Sequence, residues 1–369
     1  MKFGPCKACL RACVVLALSL LGCTTGGQPA IARDVTPGYN IGVYYFPGWK
    51  DDERGLRSPR PWDAIKAYPE REPLLGWYRD GDPKVMETQI GWMADHGIDF
   101  VVFDWYWDGQ TFAEHALSAY MQAANRDRVD FSILWANHNT SPKNLDEFDR
   151  MVRYWVKYYF PRKEFMKIDG KPVVFIVSQQ KLIENAGKLG MEARDLIARA
   201  KSAAQTAGFD GIYFVASAEA VDFWIRQEGP KGGYSAFSTY NYHRGFSGQF
   251  IPDKPMSRSY RELDAAYQES WDWILKHSPI DYILPTTAGW DKRPWGGSAD
   301  PAHDGSSSTP EQFRAHLRSA RERLDRYPEK TRRTTVICCW NEFGEGSYIE
   351  PTKIQGRAYL EAIDSVFSD

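Results

Sequence analysis

The chain has 369 residues, 43% of them hydrophobic and 25% charged, and a formal net charge of −2 at pH 7. This is ordinary soluble-protein composition on a length that suits one large barrel domain behind a leader. No basic block or stripe argues for a nucleic-acid partner, and the 14 tryptophans are a surplus for which the strand ends below partly account.

Residues 1–22 read as a signal peptide and are set apart from the fold. Lys2, Lys7 and Arg11 form a positive start, and Val14 to Leu21 is an apolar run too short for a stop-transfer helix. Leu20-Leu21-Gly22-Cys23 resembles a bacterial lipobox, in which Cys23 is lipidated and becomes the new N-terminus. Thr24 follows rather than Asp, so nothing here resembles an inner-membrane retention signal. The expected location is the bacterial cell envelope, with the chain lipid-anchored at Cys23 and facing the periplasm or the outer surface. Residues 23–38 then serve as a polar tether, and 39–369 form a single domain, expected to be monomeric. Cys6, Cys9 and Cys13 leave with the leader, so Cys338 and Cys339 remain. Neighbours in a strand point to opposite faces, so these two are not expected to bridge each other. No cysteine-based metal site follows either.

Strand-like and helix-like segments alternate through the rest of the chain. Ile41 to Phe46 reads as a strand, and Pro83 to His96 as a helix. Ile98 to Trp105 is a near-continuous apolar run, the signature of a strand buried on both faces. Helix Phe112 to Asn125, strand Phe131 to Trp135 and helix Leu145 to Phe160 follow. Next come strand Val173 to Val177 and a helix from Met191 to Ala207, ended by Gly208. Ile212 to Ala216 is a strand with a weak helix after it, and Ala236 to Tyr240 is a poorer strand before the helix Tyr260 to His277. Strand Tyr282 to Thr286, helix Pro310 to Tyr327, strand Thr334 to Cys339 and helix Arg357 to Phe367 close the series. About eight strand-then-helix units predict an α/β fold, a (β/α)₈ TIM barrel in one domain. A doubly wound open sheet is the alternative, but no Gly-x-Gly-x-x-Gly follows the first strand.

Barrels of this type carry function at the C-terminal ends of their strands. Those ends hold Tyr44, Tyr45 and Trp49; Asp104, Trp105 and Trp107; Trp135, Asn137 and His138; Ser178 and Gln179; Ser217; Tyr240, Asn241, Tyr242 and His243; Trp290 and Asp291; and Asn341, Glu342 and Glu345. Flat rings stack on the apolar faces of sugars, while amides and acids take hydroxyls. Single rings often plug barrel ends, but the whole set points to carbohydrate. His138 and His243 lack the spacing of a metal site, so no metal and no cofactor is expected. Gly245-Phe-Ser-Gly is one residue off the Gly-x-Ser-x-Gly of a serine hydrolase.

Glu342 and Glu345 are the residues suited to acid/base chemistry. A Glu-x-x-Glu pair can also be a solvated helix face. Here it follows an apolar strand, beside Trp340, Asn341 and two glycines. Acids three apart can hold their carboxyls within about 5–6 Å on a helical turn, close to the roughly 5–5.5 Å of retaining glycosidases. Two nearby acids also split their titrations, leaving one protonated and one ionised.

Four motifs resemble glycoside hydrolase family 99 and its WbsX-like relatives. They are Val43-Tyr-Tyr-Phe-Pro-Gly-Trp49, His96-Gly-Ile-Asp-Phe-Val-Val-Phe-Asp-Trp-Tyr-Trp107, Leu134-Trp-Ala-Asn-His138 and Trp340-Asn-Glu-Phe-Gly-Glu-Gly-Ser-Tyr-Ile-Glu-Pro351. The resemblance implies a (β/α)₈ barrel that cleaves α-mannosides with retention and without a metal. It puts the base that deprotonates the sugar 2-hydroxyl at Glu342 and the acid/base at Glu345. Phe343 stands where family 99 has a tryptophan. The WbsX-like relatives are the nearer match and are poorly defined in substrate. The expected activity is therefore hydrolysis of a polysaccharide or oligosaccharide, an α-mannoside among the candidates. A non-catalytic glycan-binding lipoprotein and a glycosyltransferase are the alternatives. The lack of a DxD-like metal site at a strand end speaks against the latter.

Overall fold

The computed structural model describes residues 38–50, 56 and 58–368. The leader, Cys23 and the tether through residue 37 lie outside the described residues. Eight parallel strands form the barrel: β1 (Asn40–Tyr45), β2 (Phe100–Trp107), β3 (Asp130–Trp135), β4 (Lys171–Ile176), β5 (Tyr213–Ser217), β6 (Ala236–Ser238), β7 (Leu284–Thr287) and β8 (Thr334–Cys338). From β1 to β6 each pairs with the next in sequence, and β8 returns to β1 through Asn40↔Thr334 and Val43↔Ile337. β6 meets the short strand Asp281–Tyr282 just before β7, while β7 itself pairs with β8, so the ring closes. The expected (β/α)₈ barrel is the observed fold.

Helices α1 (Pro83–Ala94), α2 (His115–Gln122), α3 (Leu145–Tyr158), α4 (Gln179–Lys188), α5 (Ala193–Thr206), α6 (Tyr260–His277), α7 (Pro310–Arg326) and α8 (Ala358–Phe367) follow the strands. Most start where the sequence supplies a cap. The Asp82 carboxylate accepts from the Lys84 amide ahead of Pro83, and Thr309 with Gln312 forms a reciprocal capping box on α7. Helix α4 was not foreseen: its segment Gln-Gln-Lys-Leu-Ile-Glu-Asn-Ala-Gly-Lys buries only Gln179, Leu182 and Ala186, too thin a stripe to read in advance. After β5 the expected weak helix is a π-type turn, Phe223–Glu228.

The strands are buried on both faces, and the pleat separates two cores. Tyr44, Phe100, Val102, Leu134, Phe175, Val215 and Val336 fill the barrel interior. Tyr45, Val101, Phe103, Trp105, Trp107 and Trp135 face outward into the layer under the helices. A third, aromatic cluster caps the C-terminal end of the barrel beside β1 and β8, with Phe46, Trp49, Trp62, Tyr78 and Phe343 at its centre.

Cys338 and Cys339 are joined to each other by a disulfide, across a cis peptide bond. This corrects the expectation from strand alternation. β8 ends at Cys338, so Cys339 has already left the pleat, and both sulfurs lie buried inside the barrel. Among the described residues no helix is long and apolar enough to cross a membrane.

Candidate active site

A cleft of about 760 Å³ opens at the C-terminal end of the barrel. Of the residues singled out from sequence, its wall includes Asp104, His138, Tyr240, His243, Trp290, Glu342 and Glu345. A second cavity of about 620 Å³ adjoins it, with Leu56 and Phe112 in both walls.

The acid pair is carried by a hairpin, not by the helical turn considered for it. Asn341–Glu342 pairs antiparallel with Ser347–Tyr348, and Phe343, Gly344, Glu345 and Gly346 make the turn. Gly346 has φ +67°, and a Cβ on it would come within 2.7 Å of the Asp291 backbone nitrogen. Glu342 is buried at 4% exposure, whereas Glu345 is partly open to the cleft.

Asp104 and Tyr240 connect to this pair. The Tyr240 hydroxyl lies 3.2 Å from Glu342 Oε1 and 3.4 Å from Asp104 Oδ2. Asp104 is 8% exposed, and its Oδ1 is a buried oxygen with no hydrogen-bond partner among the described residues. Burial pushes its carboxyl well above the usual range; the bond from Tyr240 opposes that shift, and the nearby Glu345 adds to it. Burial foremost, then the three acids Asp104, Glu342 and Glu345, likewise raise the Tyr240 phenol. Two carboxyls thus meet one hydroxyl in the cleft, and the charge of Glu345 acts on the same phenol.

The other residues expected to bind substrate are placed elsewhere. Tyr45, Trp105 and Trp107 face outward by strand parity; the indole N–H groups of the two tryptophans donate to the Tyr159 hydroxyl and to Glu147. Tyr44 lies inside the barrel below the cleft, its ring 4.9 Å from that of Tyr240. Trp49 stacks on Trp62 at 4.0 Å and donates to the Asn341 carbonyl. The Asn341 amide is spent on Phe46, accepting from its N–H and donating to its carbonyl. Asn137 clips the start of α4 in the same way through Ser178, and Tyr242 is buried against Ala218 and Tyr282. These eight side chains build and orient the site rather than line it. Phe343 does likewise: it is fully buried against Trp49, Trp62 and Tyr348, outside the cleft.

Several contributors gave no signal in the sequence. Arg71, from the long irregular segment before α1, is 2% exposed. It donates to the Phe343 carbonyl at 2.6 Å, to the Asp291 carbonyl at 3.0 Å and to the Asp291 carboxylate at 2.5 Å. The Asp291 amide in turn donates to the Glu345 carbonyl at 2.7 Å. An ion pair thereby grips the turn that carries Glu345. Tyr106 and Trp224 also line the cleft, as does Gln179, a strand-end residue singled out from sequence. Tyr106 was legible in principle, because it shares the inward parity of Asp104. Among the described residues no group of three or more His, Cys, Asp or Glu is placed to hold a metal ion.

Solved structures of similar shape share the barrel at low identity. A glycoside hydrolase-like protein superposes with a TM-score of 0.65 at 15% identity, over 93% of this chain and 98% of the other. The GH99 endo-α-mannosidase of Bacteroides thetaiotaomicron gives 0.62 at 16%, over 90% and 96%. A family 1 β-glucosidase of Thermotoga maritima gives 0.52 at 13%, over 90% and 99%. No curated protein matches the chain. At the level of sequence, residues 66–363 match the profile of the family described as Glycosyltransferase WbsX, and through that match over most of its length the chain belongs to this family.

Proposed function

We propose that the protein is a retaining glycoside hydrolase acting on a polysaccharide or oligosaccharide, with an α-mannoside as the first candidate. The observation that carries this reading is the placement of buried Glu342 and partly open Glu345 on one cleft wall, joined to Asp104 through Tyr240. Glu342 takes the proton of the sugar 2-hydroxyl, and that oxygen attacks the anomeric carbon to give a 1,2-anhydro sugar. Glu345 gives its proton to the departing glycosidic oxygen. In the second half Glu345 removes a proton from water, which opens the anhydro ring at the anomeric carbon, and Glu342 returns the proton to the 2-oxygen. Two inversions give net retention. The lipid anchor at Cys23 would hold this activity at the cell envelope.

A panel of polysaccharides, with released oligosaccharides read by mass, tests the activity. Glu342→Gln and Glu345→Gln should each lower turnover by ~10²–10⁴-fold, the usual worth of general acid/base help, while binding stays near wild type. Wild-type rates in both variants on the cleaved substrate would remove the assignment. A substrate O-methylated at its 2-hydroxyl should resist cleavage, since it has no proton for Glu342 to take; efficient hydrolysis of it would exclude the 2-hydroxyl route. The family's description favours transfer over hydrolysis as a second reading, and transfer to an added sugar acceptor is read in the same mass assay.

A further inference from the structure

A pair of histidines beside the acids is wired in one direction. His303 is 1% exposed, and its Nδ1 lies 2.8 Å from the Ser257 carbonyl oxygen. A carbonyl can only accept, so this nitrogen carries the proton. In a neutral ring Nε2 is then bare. That Nε2 lies 3.1 Å from His243 Nδ1, so His243 must be the donor across this contact. His243 Nδ1 therefore holds its proton, and His243 Nε2 is the acceptor. The structure gives this Nε2 no protein partner among the described residues, and His243 forms part of the cleft wall. Trp290 fixes both rings, meeting His243 edge-on at 4.4 Å and stacking on His303 at 5.5 Å. The Ser257 hydroxyl, 2.8 Å from that of Ser306 and 3.1 Å from His303 Nδ1, completes the support.

We propose that this relay locks His243 into one tautomer and makes it a dedicated acceptor for a sugar hydroxyl, a glycan-positioning residue rather than a base. Burial, together with His303, Arg244 and Lys292 nearby, pushes the His243 imidazole down to about 3, and burial also lowers His303 against the pull of Asp304 and Asp300. Both shifts favour the neutral rings that the relay requires. An acceptor of fixed polarity admits a free hydroxyl at its position and rejects an O-acylated or O-methylated one, which offers no proton. The ligand part of the proposal rests on the glycosidase reading above; the tautomer rests on the rings alone.

The two parts are tested separately on the full chain. With ¹⁵N-labelled histidine, a long-range ¹H–¹⁵N correlation assigned through His243→Ala should show His243 protonated at Nδ1, bare at Nε2 and neutral at pH 6. His303→Phe, which removes the acceptor, should redistribute the tautomers. An Nε2–H ring or an imidazolium at pH 6 in the wild type overturns the lock. For the contact, α-mannan oligosaccharides are the first probe and the polysaccharide panel the second. His243→Ala should raise KM about tenfold with kcat nearly unchanged, the worth of one neutral hydrogen bond. His243→Gln, whose amide oxygen can accept, should recover part of the loss, and His303→Phe should raise KM without touching the glycan. Wild-type KM in His243→Ala overturns the contact. A wild type inert toward every probe counts against the glycosidase reading instead, and the spectrum still decides the relay.

Discussion

Asp104 illustrates how burial sets the role of a single side chain. Its carboxyl is held well above the usual range, chiefly by desolvation, which favours the protonated form. The Tyr240 hydroxyl has one proton for two acceptors, Glu342 Oε1 and Asp104 Oδ2, and a neutral Asp104 would leave that proton to Glu342. As the pH rises through the raised value, a second anion appears beside Glu342 and Glu345, and activity should fall. Asparagine is neutral at every pH and keeps a donor in the same place. Asp104→Asn should therefore hold near-wild-type kcat at pH 6 and lose the alkaline decline. Asp104→Ala, which leaves Tyr240 with Glu342 as its remaining partner, should lose tenfold or more. A pH–rate profile of the three proteins decides this; an Asn variant as impaired as the Ala variant would mean that Asp104 works as a carboxylate.

The elements show which long-range facts escape a sequence. The final hairpin owes its pose to Arg71, which is 220 residues from Asp291 in the chain and sits in a segment with no periodic pattern. The buried guanidinium satisfies two carbonyls and one carboxylate, so its loss strands groups that water cannot reach. Arg71→Met should cost about 3–5 kcal/mol by denaturant unfolding, the penalty of breaking a buried pair. It should also lower kcat through Glu345. Arg71→Lys should recover charge but not the three-way grip. An unchanged unfolding midpoint in Arg71→Met would show that Arg293, also on Asp291, suffices. By contrast, the strands themselves were legible, because burial on both faces leaves near-continuous apolar runs such as Phe100 to Phe103. The strand ends were legible as a list of rings and acids, but not as inward and outward halves. One inward residue fixes the parity of its strand: with Asp104 in the cleft, Tyr106 must join it, and Trp105 and Trp107 must turn away. The histidine relay was illegible, since it joins the loops after β6 and β7.

Across the whole molecule, one buried acid ties the site to the helical layer. Glu350, in the closing motif, is 2% exposed. It accepts from the Tyr78 hydroxyl at 2.7 Å and from the Gln89 amide of α1 at 3.1 Å. Burial nevertheless dominates and pushes its carboxyl to about 8, with the Asp80 charge adding to the shift. In the unfolded chain the same group titrates near 4.5. The folded state thus binds a proton more tightly than the unfolded one. Stability from this group is complete below about pH 4.5 and drains away as the pH climbs to about 8, where the native carboxyl ionises too. Most titrating acids here act the other way: Asp291, held down by Arg293 and Arg71 against its burial, protects the fold above its own range and loses that contribution in acid. Replacing Glu350 by Gln removes only the first effect, because the amide is uncharged and can keep both neighbours. The melting temperature of Glu350→Gln should therefore fall less than that of the wild type between pH 5 and pH 8, with the two curves converging toward the acid end. Parallel curves across that interval would mean that Glu350 is already ionised in the folded barrel, and that Tyr78 and Gln89 outweigh its burial.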